Sequence, residues 1–260
     1  ACPPIRSTRD NKLAMASTVF EDELLLIPPL DSLTWLQGSS QDILAAKSSG
    51  ASVSLCLLIQ PNCPGCHENA LPLLNELYNG LRQQRGSTSS PTSAVDSIYV
   101  VSTAFEDFEY NTIDSAKKLV EQQELVGIAK STLGSSSSKY YKRLAMPFAH
   151  DSVVPAMQAT PDLKATALQA IRFKVQDELR LRNPYVSRAQ LNLFLEQVNE
   201  SMLPQQLARY FWQVRAGGTP TWVLHGTATG QVLARRIGPF PSSQALRAWI
   251  KDAVHQSEES

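Results

Sequence analysis

The sequence has no excess of charge of either sign. Across 260 residues, 24 basic side chains balance 24 acidic ones, for a formal net charge of zero. Nothing in that balance suggests a nucleic-acid or anionic-membrane partner. Long hydrophobic runs are missing too. The longest, Leu24–Ile27 and Leu55–Ile59, fall far short of the roughly 18 apolar residues of a membrane-spanning helix. Cysteine is scarce: four residues cannot staple a chain of this length into a disulfide scaffold. The fold must therefore come from a hydrophobic core, which an apolar fraction of 43% can supply. No internal repeat is present, and the length suits one large domain or one domain carrying a sizeable insertion.

The sequence begins at Ala1 rather than Met, as expected of a processed or trimmed chain. Cys2, followed by two prolines and a polar stretch, fits the lipid-bearing cysteine of a bacterial lipoprotein if Ala1 belongs to a precursor or tag. The alternative is a terminal cysteine of no special role. Cys56 lies inside SVSLCLLIQ and reads as a small buried hydrophobe in a strand.

Chemistry concentrates in Pro61-Asn62-Cys63-Pro64-Gly65-Cys66-His67-Glu68. A C-x-x-C pair serves thiol–disulfide exchange, and C-x-x-C-H also attaches a c-type haem. Cys63, Cys66 and His67 could further hold a soft ion such as Cu(I), although no second C-x-x-C exists to complete a zinc site. Context separates these readings. The run Val53–Ile59 is apolar but for Ser54 and predicts a central strand buried on both faces. After the motif, Leu71, Leu74, Leu77, Tyr78 and Leu81 recur at helical spacing. The cysteines thus fall at a strand-to-helix junction, where free N–H groups and the helix dipole favour a thiolate at Cys63. Pro64 suits a first helical turn because its missing N–H needs no partner there.

Residues 1–20 predict a loose tail, Leu24–Ile27 and Leu33–Leu36 short strands or an extended lead-in, and Gln41–Lys47 a short helix. Residues 86–93 predict a flexible loop and Ser97–Ser102 a second strand. Thr112 caps a helix running to about Leu133. Ser135–Ser138 reads as a mobile loop and Leu144–His150 as a short strand. Residues 160–202 change to helical periodicity, broken at Asn183-Pro184 and restarted by a Ser187/Gln190 capping box. A third helix is expected over about Pro204–Val214. Gly217-Gly218-Thr219-Pro220-Thr221 then turns into a strand, Gln231–Ile237 returns as a hairpin, and Ser242 or Ser243 caps a last helix carrying Leu246, Trp249, Ile250 and Val254. This order predicts an α/β fold with parallel and antiparallel strand pairs.

At Cys63–Cys66 together with Gly218-Thr219-Pro220-Thr221, the chain resembles the thioredoxin superfamily. It is similar to bacterial extracytoplasmic branches, the TlpA-like proteins and, more loosely, DsbA. Leu33–Leu36, Ser102–Phe108 and Met146–Ala149 look like strand regions of the TlpA-like branch. The resemblance implies a central mixed β-sheet flanked by helices, with a helical insertion at about 155–203 before the cis-proline strand. The implied thioredoxin-like domain spans 30–256, between an N-terminal tail (1–29) and a C-terminal one (257–260). It also implies a protein thiol–disulfide oxidoreductase, reductase or isomerase rather than oxidase, working outside the cytoplasm on protein thiols and disulfides. No cofactor beyond a Cys63–Cys66 disulfide is implied. Cys63 would attack and Cys66 resolve. Pro220 would be the cis-proline beside them, and Thr219, Pro64, Gly65 and Gly218 would meet the substrate chain. His67, on the helix surface, and Glu68 would tune Cys63. Three departures stand out. Asn62 replaces the usual aromatic residue, Leu57 replaces the usual buried acid, and Pro72 comes one residue later than the usual helix proline.

Overall fold

The computed structural model describes residues 25–45, 52–85 and 95–259. The tail expected over residues 1–20, Cys2, and the loop expected at 86–93 lie outside the described residues.

A six-stranded sheet runs through the molecule. Its strands are β1 (Thr34–Gln37), β2 (Val53–Ile59), β3 (Ser97–Ser102), β4 (Phe148–His150), β7 (Thr221–Gly226) and β8 (Val232–Ile237), in the order β1-β4-β3-β2-β7-β8. β2, β3 and β4 are parallel neighbours, while β1, β7 and β8 join antiparallel. The mixed sheet flanked by helices is the architecture that the sequence implied. β2 takes the centre because all seven of its residues are buried, with β3 on one side and β7 on the other. Its alternate side chains feed two cores. Leu55, Leu57 and Ile59 pack with α2 (Leu71–Arg85) and α8 (Ser243–Glu259), whereas Cys56 and Leu58 pack with Tyr99, Tyr210 and Phe211.

Helix ends follow local chemistry. A Ser39/Asp42 capping box opens α1 (Ser40–Leu44). Thr160, followed by Pro161, opens the 22-residue α5 (Pro161–Arg182), which ends at Asn183. The expected Ser187/Gln190 capping box opens α6 (Arg188–Glu196). The hydroxyl of Ser242 accepts from the N–H of Ala245 at the start of α8.

Three sequence expectations need correction. The helix expected from Thr112 to Leu133 is two helices, α3 (Ile113–Lys117) and α4 (Gly127–Leu133). A π turn over Lys118–Gln122 and a left-handed Gln123 (φ 57°) separate them. Ser135–Ser138 is not a free loop: Ser137 is fully buried and donates to the Gln123 carbonyl at 3.0 Å. The helix expected over Pro204–Val214 shrinks to α7 (Arg209–Gln213). Residues Gln206–Ala208 instead form β6, paired with β5 (Val153–Pro155), because that pairing satisfies their backbone while Leu207 goes fully inside.

Candidate active site

β2 ends at Ile59, and Gln60, Pro61 and Asn62 carry the chain over the sheet edge into a helix. The Cys63 N–H donates to the Gln60 carbonyl at 3.0 Å, which sets Cys63 at the entrance of that helix. Cys66 lies one turn on, and its N–H donates to the Cys63 carbonyl (3.2 Å) and approaches Cys63 Sγ at 3.3 Å. Both cysteines are free thiols, Cys63 half-buried and Cys66 completely buried. The helix widens into a π turn over Cys66–Ala70 before α2. Pro72 explains the widening, since an α-helical register would press its ring on the Glu68 carbonyl and leave no N–H to bond it.

The two thiols are electrostatically unlike. The Cys66 thiol and the N–H groups of Cys66 and Gly65 stabilise charge on Cys63. Against the opposing effect of burial, they lower Cys63 to about 7. Burial pushes Cys66 well above the usual thiol range, and a charged Cys63 adds to this. One thiol is therefore poised to ionise while the other stays protonated.

Across from Cys63 lies the turn before β7. Thr219–Pro220 is a cis peptide, and the Thr219 carbonyl stands 3.8 Å from Cys63 Sγ. The Thr219 hydroxyl donates to Gln60 Oε1 at 3.2 Å, linking the turn to the loop before the cysteines. Gly217 has φ 50°, and a Cβ there would sit 3.1 Å from Ile237 Cδ1, so the wall beside Cys63 stays bare backbone. Gln60, Cys63, Pro64, Phe105, Gly217, Gly218 and Thr219 line a cavity of about 410 Å³. Gly65 is partly exposed beside them.

His67 overturns a sequence expectation. It is fully buried rather than on the helix surface. Its Nε2 lies 2.9 Å from the Pro61 carbonyl and its Nδ1 lies 3.2 Å from the Tyr141 hydroxyl. A carbonyl can only accept, so Nε2 carries the proton and Nδ1 accepts from Tyr141. Burial lowers His67 to about 4, so it is neutral at pH 7 and brings no charge to Cys63. It braces the loop instead. With both ring nitrogens engaged in the core, His67 does not fit the axial ligand of a haem, nor a copper ligand. Glu68 is exposed on the helix.

Asn62, where an aromatic residue was expected, proves to be a clamp that sequence reasoning missed. Its N–H donates to Asn111 Oδ1 (3.0 Å) and its side-chain amide donates to Asp107 Oδ2 (2.9 Å). Its Oδ1 accepts from the Ile128 N–H at the start of α4. Asn111 and Gln60 both donate to the Glu106 carbonyl. These bonds tie the cysteine loop to the segment after β3 and to α4. Gly127 (φ 50°) must be glycine because a Cβ would overlap Asn62 Oδ1. The pattern is hard to see in sequence because Asn111 and Ile128 lie 49 and 66 residues from Asn62.

Leu57, at the position of the usual buried acid, is fully buried in the apolar core. A buried acid does exist elsewhere on the same sheet edge. Asp151 follows β4, accepts from the Phe211 N–H (3.1 Å) and the Thr103 hydroxyl (3.3 Å), and is raised by burial to about 6. It fastens β4 to α7. Cys56 lies on the opposite face of β2 from Cys63 and Cys66, against Tyr99 and Tyr210, and burial pushes it up to about 12.

No family model matches this sequence, and no curated protein does. Among solved structures, a thiol–disulfide isomerase from Corynebacterium glutamicum is similar at 13% identity and a TM-score of 0.44, over 88% of this chain and 96% of that one. A thioredoxin-like superfamily protein is similar at 16% identity and a TM-score of 0.38, over 78% of this chain and 80% of that one. Among the described residues, no helix is long and apolar enough to cross a membrane, and no cluster of metal-ligating side chains occurs.

Proposed function

We propose that the protein is a thiol–disulfide oxidoreductase of the thioredoxin type, a reductase or isomerase acting on protein disulfides outside the cytoplasm. One observation carries this reading. A half-buried Cys63 lowered to about 7 faces the Thr219 carbonyl, directly in front of a buried, protonated Cys66.

The steps follow from that asymmetry. The Cys63 thiolate attacks one sulfur of a substrate disulfide. The substrate S–S bond breaks, a mixed disulfide forms, and the departing thiolate takes a proton from water. Cys66 then passes its proton to solvent and attacks Cys63 Sγ; the Cys63–substrate S–S bond breaks, the Cys63–Cys66 bond forms, and the second substrate thiolate leaves. The substrate gains two electrons and the Cys63–Cys66 pair loses them, so a dithiol reductant must restore the pair. In isomerisation, a substrate thiol attacks the mixed disulfide instead and no net electrons move. The pair itself carries the electrons, and no dissociable cofactor is required. Thr219, beside the cis Pro220, offers backbone groups to the substrate chain, and Pro64, Gly65 and Gly218 leave room for it.

A Cys63 near 7 favours a reducing couple. Strong disulfide oxidants hold their attacking thiol several units lower, near 3.5, which stabilises the reduced form. The Cys63–Cys66 potential is therefore expected nearer about −270 mV than about −120 mV. The test is turnover of a disulfide-bonded protein such as insulin with a dithiol reductant. Acceleration over the reductant alone is expected. A pair that is oxidised and reduced normally yet gives no acceleration would instead make this a binding module on the same fold.

A further inference from the structure

Charge is balanced over the whole chain but not along it. The helical insertion ends in a hairpin, α5 turning into α6 through residues 183–187. The buried residues of α5, Leu163, Ala167 and Ala170, all lie in its first half. From Arg180 to Gln190 every residue except Val186 is exposed. This end of the hairpin carries large apolar side chains: Leu181 is 82% exposed, Tyr185 93%, Leu193 62% and Phe194 47%. Single exposed apolar residues are ordinary, but a group of them at one end of a hairpin marks an interaction surface. Between Glu178 and Glu196 the only charged side chains are Arg180, Arg182 and Arg188. Behind them the signs mix, with Arg172, Lys174, Asp177 and Glu178 on α5 and Glu196 at the end of α6. Glu178 meets Arg182 at 3.9 Å, an exposed contact that salt screens.

We propose that this end of the hairpin docks on an anionic phospholipid bilayer. Apolar side chains interleaved with arginines suit such an interface: the first enter the acyl boundary and the second stay with the phosphates. At about 1.5 Å per residue, Leu181, Tyr185, Leu193 and Phe194 all lie within about 10 Å of the turn, which matches the roughly 5–10 Å to which interfacial segments sink. A bilayer deforms around a convex end and needs no complementary groove. A second copy fits less well, because a two-fold contact sets the arginines of both tips against one another. Docking also fixes where the thiol sits. Lys174 lines the cavity at Cys63 and precedes the end of α5 by eight residues, about 12 Å. The bilayer surface thus lies close to that cavity. The proposal holds whether or not Cys63 performs exchange.

The experiment is co-sedimentation of the full chain with vesicles of phosphatidylcholine, alone or with about one-third phosphatidylglycerol, at low and at physiological salt. Partition onto the anionic vesicles is expected to exceed that onto the neutral ones about tenfold or more, and to weaken as salt rises. Leu181→Glu combined with Tyr185→Glu, both at exposed positions, is expected to lower binding about tenfold or more. Arg180→Gln combined with Arg188→Gln keeps the apolar side chains and is expected to erase the preference for anionic lipid. Thermal melts verify that both double variants fold. No partition onto either kind of vesicle, or partition unchanged in both variants, would overturn the proposal. So would a dimer in sedimentation-velocity runs that the Leu181/Tyr185 variant abolishes, which would make the tip a contact between copies.

Discussion

Cys63→Ser is expected to reduce protein-disulfide exchange to the uncatalysed background, a loss on the order of 10³-fold or more. Cys66→Ser should block turnover differently, by stopping it half-way. In Cys63→Ser the remaining thiol of the pair, Cys66, is fully buried and held protonated well above neutral pH, so it cannot replace the missing nucleophile. In Cys66→Ser the attacking thiol is still half-buried, the two backbone N–H groups at positions 65 and 66 remain, and the serine hydroxyl replaces the Cys66 thiol as side-chain donor. It attacks as before, but nothing resolves the mixed disulfide. Non-reducing electrophoresis and mass spectrometry read the difference directly. The Cys66→Ser protein should accumulate a covalent adduct with a disulfide-bonded substrate, and the Cys63→Ser protein none. Adducts in both variants, or in Cys63→Ser alone, would reverse the assigned roles.

Acid is expected to destabilise the protein from about pH 6.5 downward, before most carboxylates protonate. Three histidines are buried, each lowered by burial to about 4: His67 against Pro61 and Tyr141, His150 against Ser102, and His225 against Tyr99 and the Gly226 carbonyl. In the unfolded chain each returns to about 6.5. A histidine whose folded pKa is depressed contributes stability that is fully present above pH 6.5 and is lost as the pH falls toward 4. Each such shift corresponds to about 3 kcal/mol. Asp151 acts the other way. Its raised pKa, about 6, costs stability at neutral pH and returns it on acidification, by a similar amount. The balance leaves about two histidines' worth, roughly 6 kcal/mol, against a typical total of about 5–15 kcal/mol. Urea midpoints should therefore fall steeply between pH 6.5 and 4, with loss of the fold near the lower end. A midpoint that is flat across that window would show the histidines to be solvated.

The central architecture could be read from the sequence because its signals are local and strong. Val53–Ile59 is apolar at every position but Ser54, a run that suits a central strand, and it sits where such a strand must lie, between β3 and β7. The Ser187/Gln190 box, the Asn183-Pro184 break and the Ser242 cap each act within a few residues and were legible for that reason. The failures have the opposite character. Leu207 belongs to a strand only because Val153–Pro155 lies alongside to pair with it, and helical periodicity over 204–214 cannot show that. His67 follows a motif at a helix start, a position that suggests solvent. Its burial depends on Tyr141, 74 residues away. Asn62 was visible as a departure, but its role depends on Asp107, Asn111 and Ile128, which meet only in the fold. Turns, caps and buried strands announce themselves, whereas polar contacts between distant loops do not.

The account depends most on the difference between the two thiols. The rate at which iodoacetamide alkylates the reduced protein, followed against pH with the modified peptide identified by mass spectrometry, measures that difference. Within the pair, the expected result is modification of Cys63 along a sigmoid centred near pH 7, with Cys66 unreactive throughout. A midpoint at the ordinary thiol value of about 8.5 or higher, or modification of Cys66 ahead of Cys63, would contradict it.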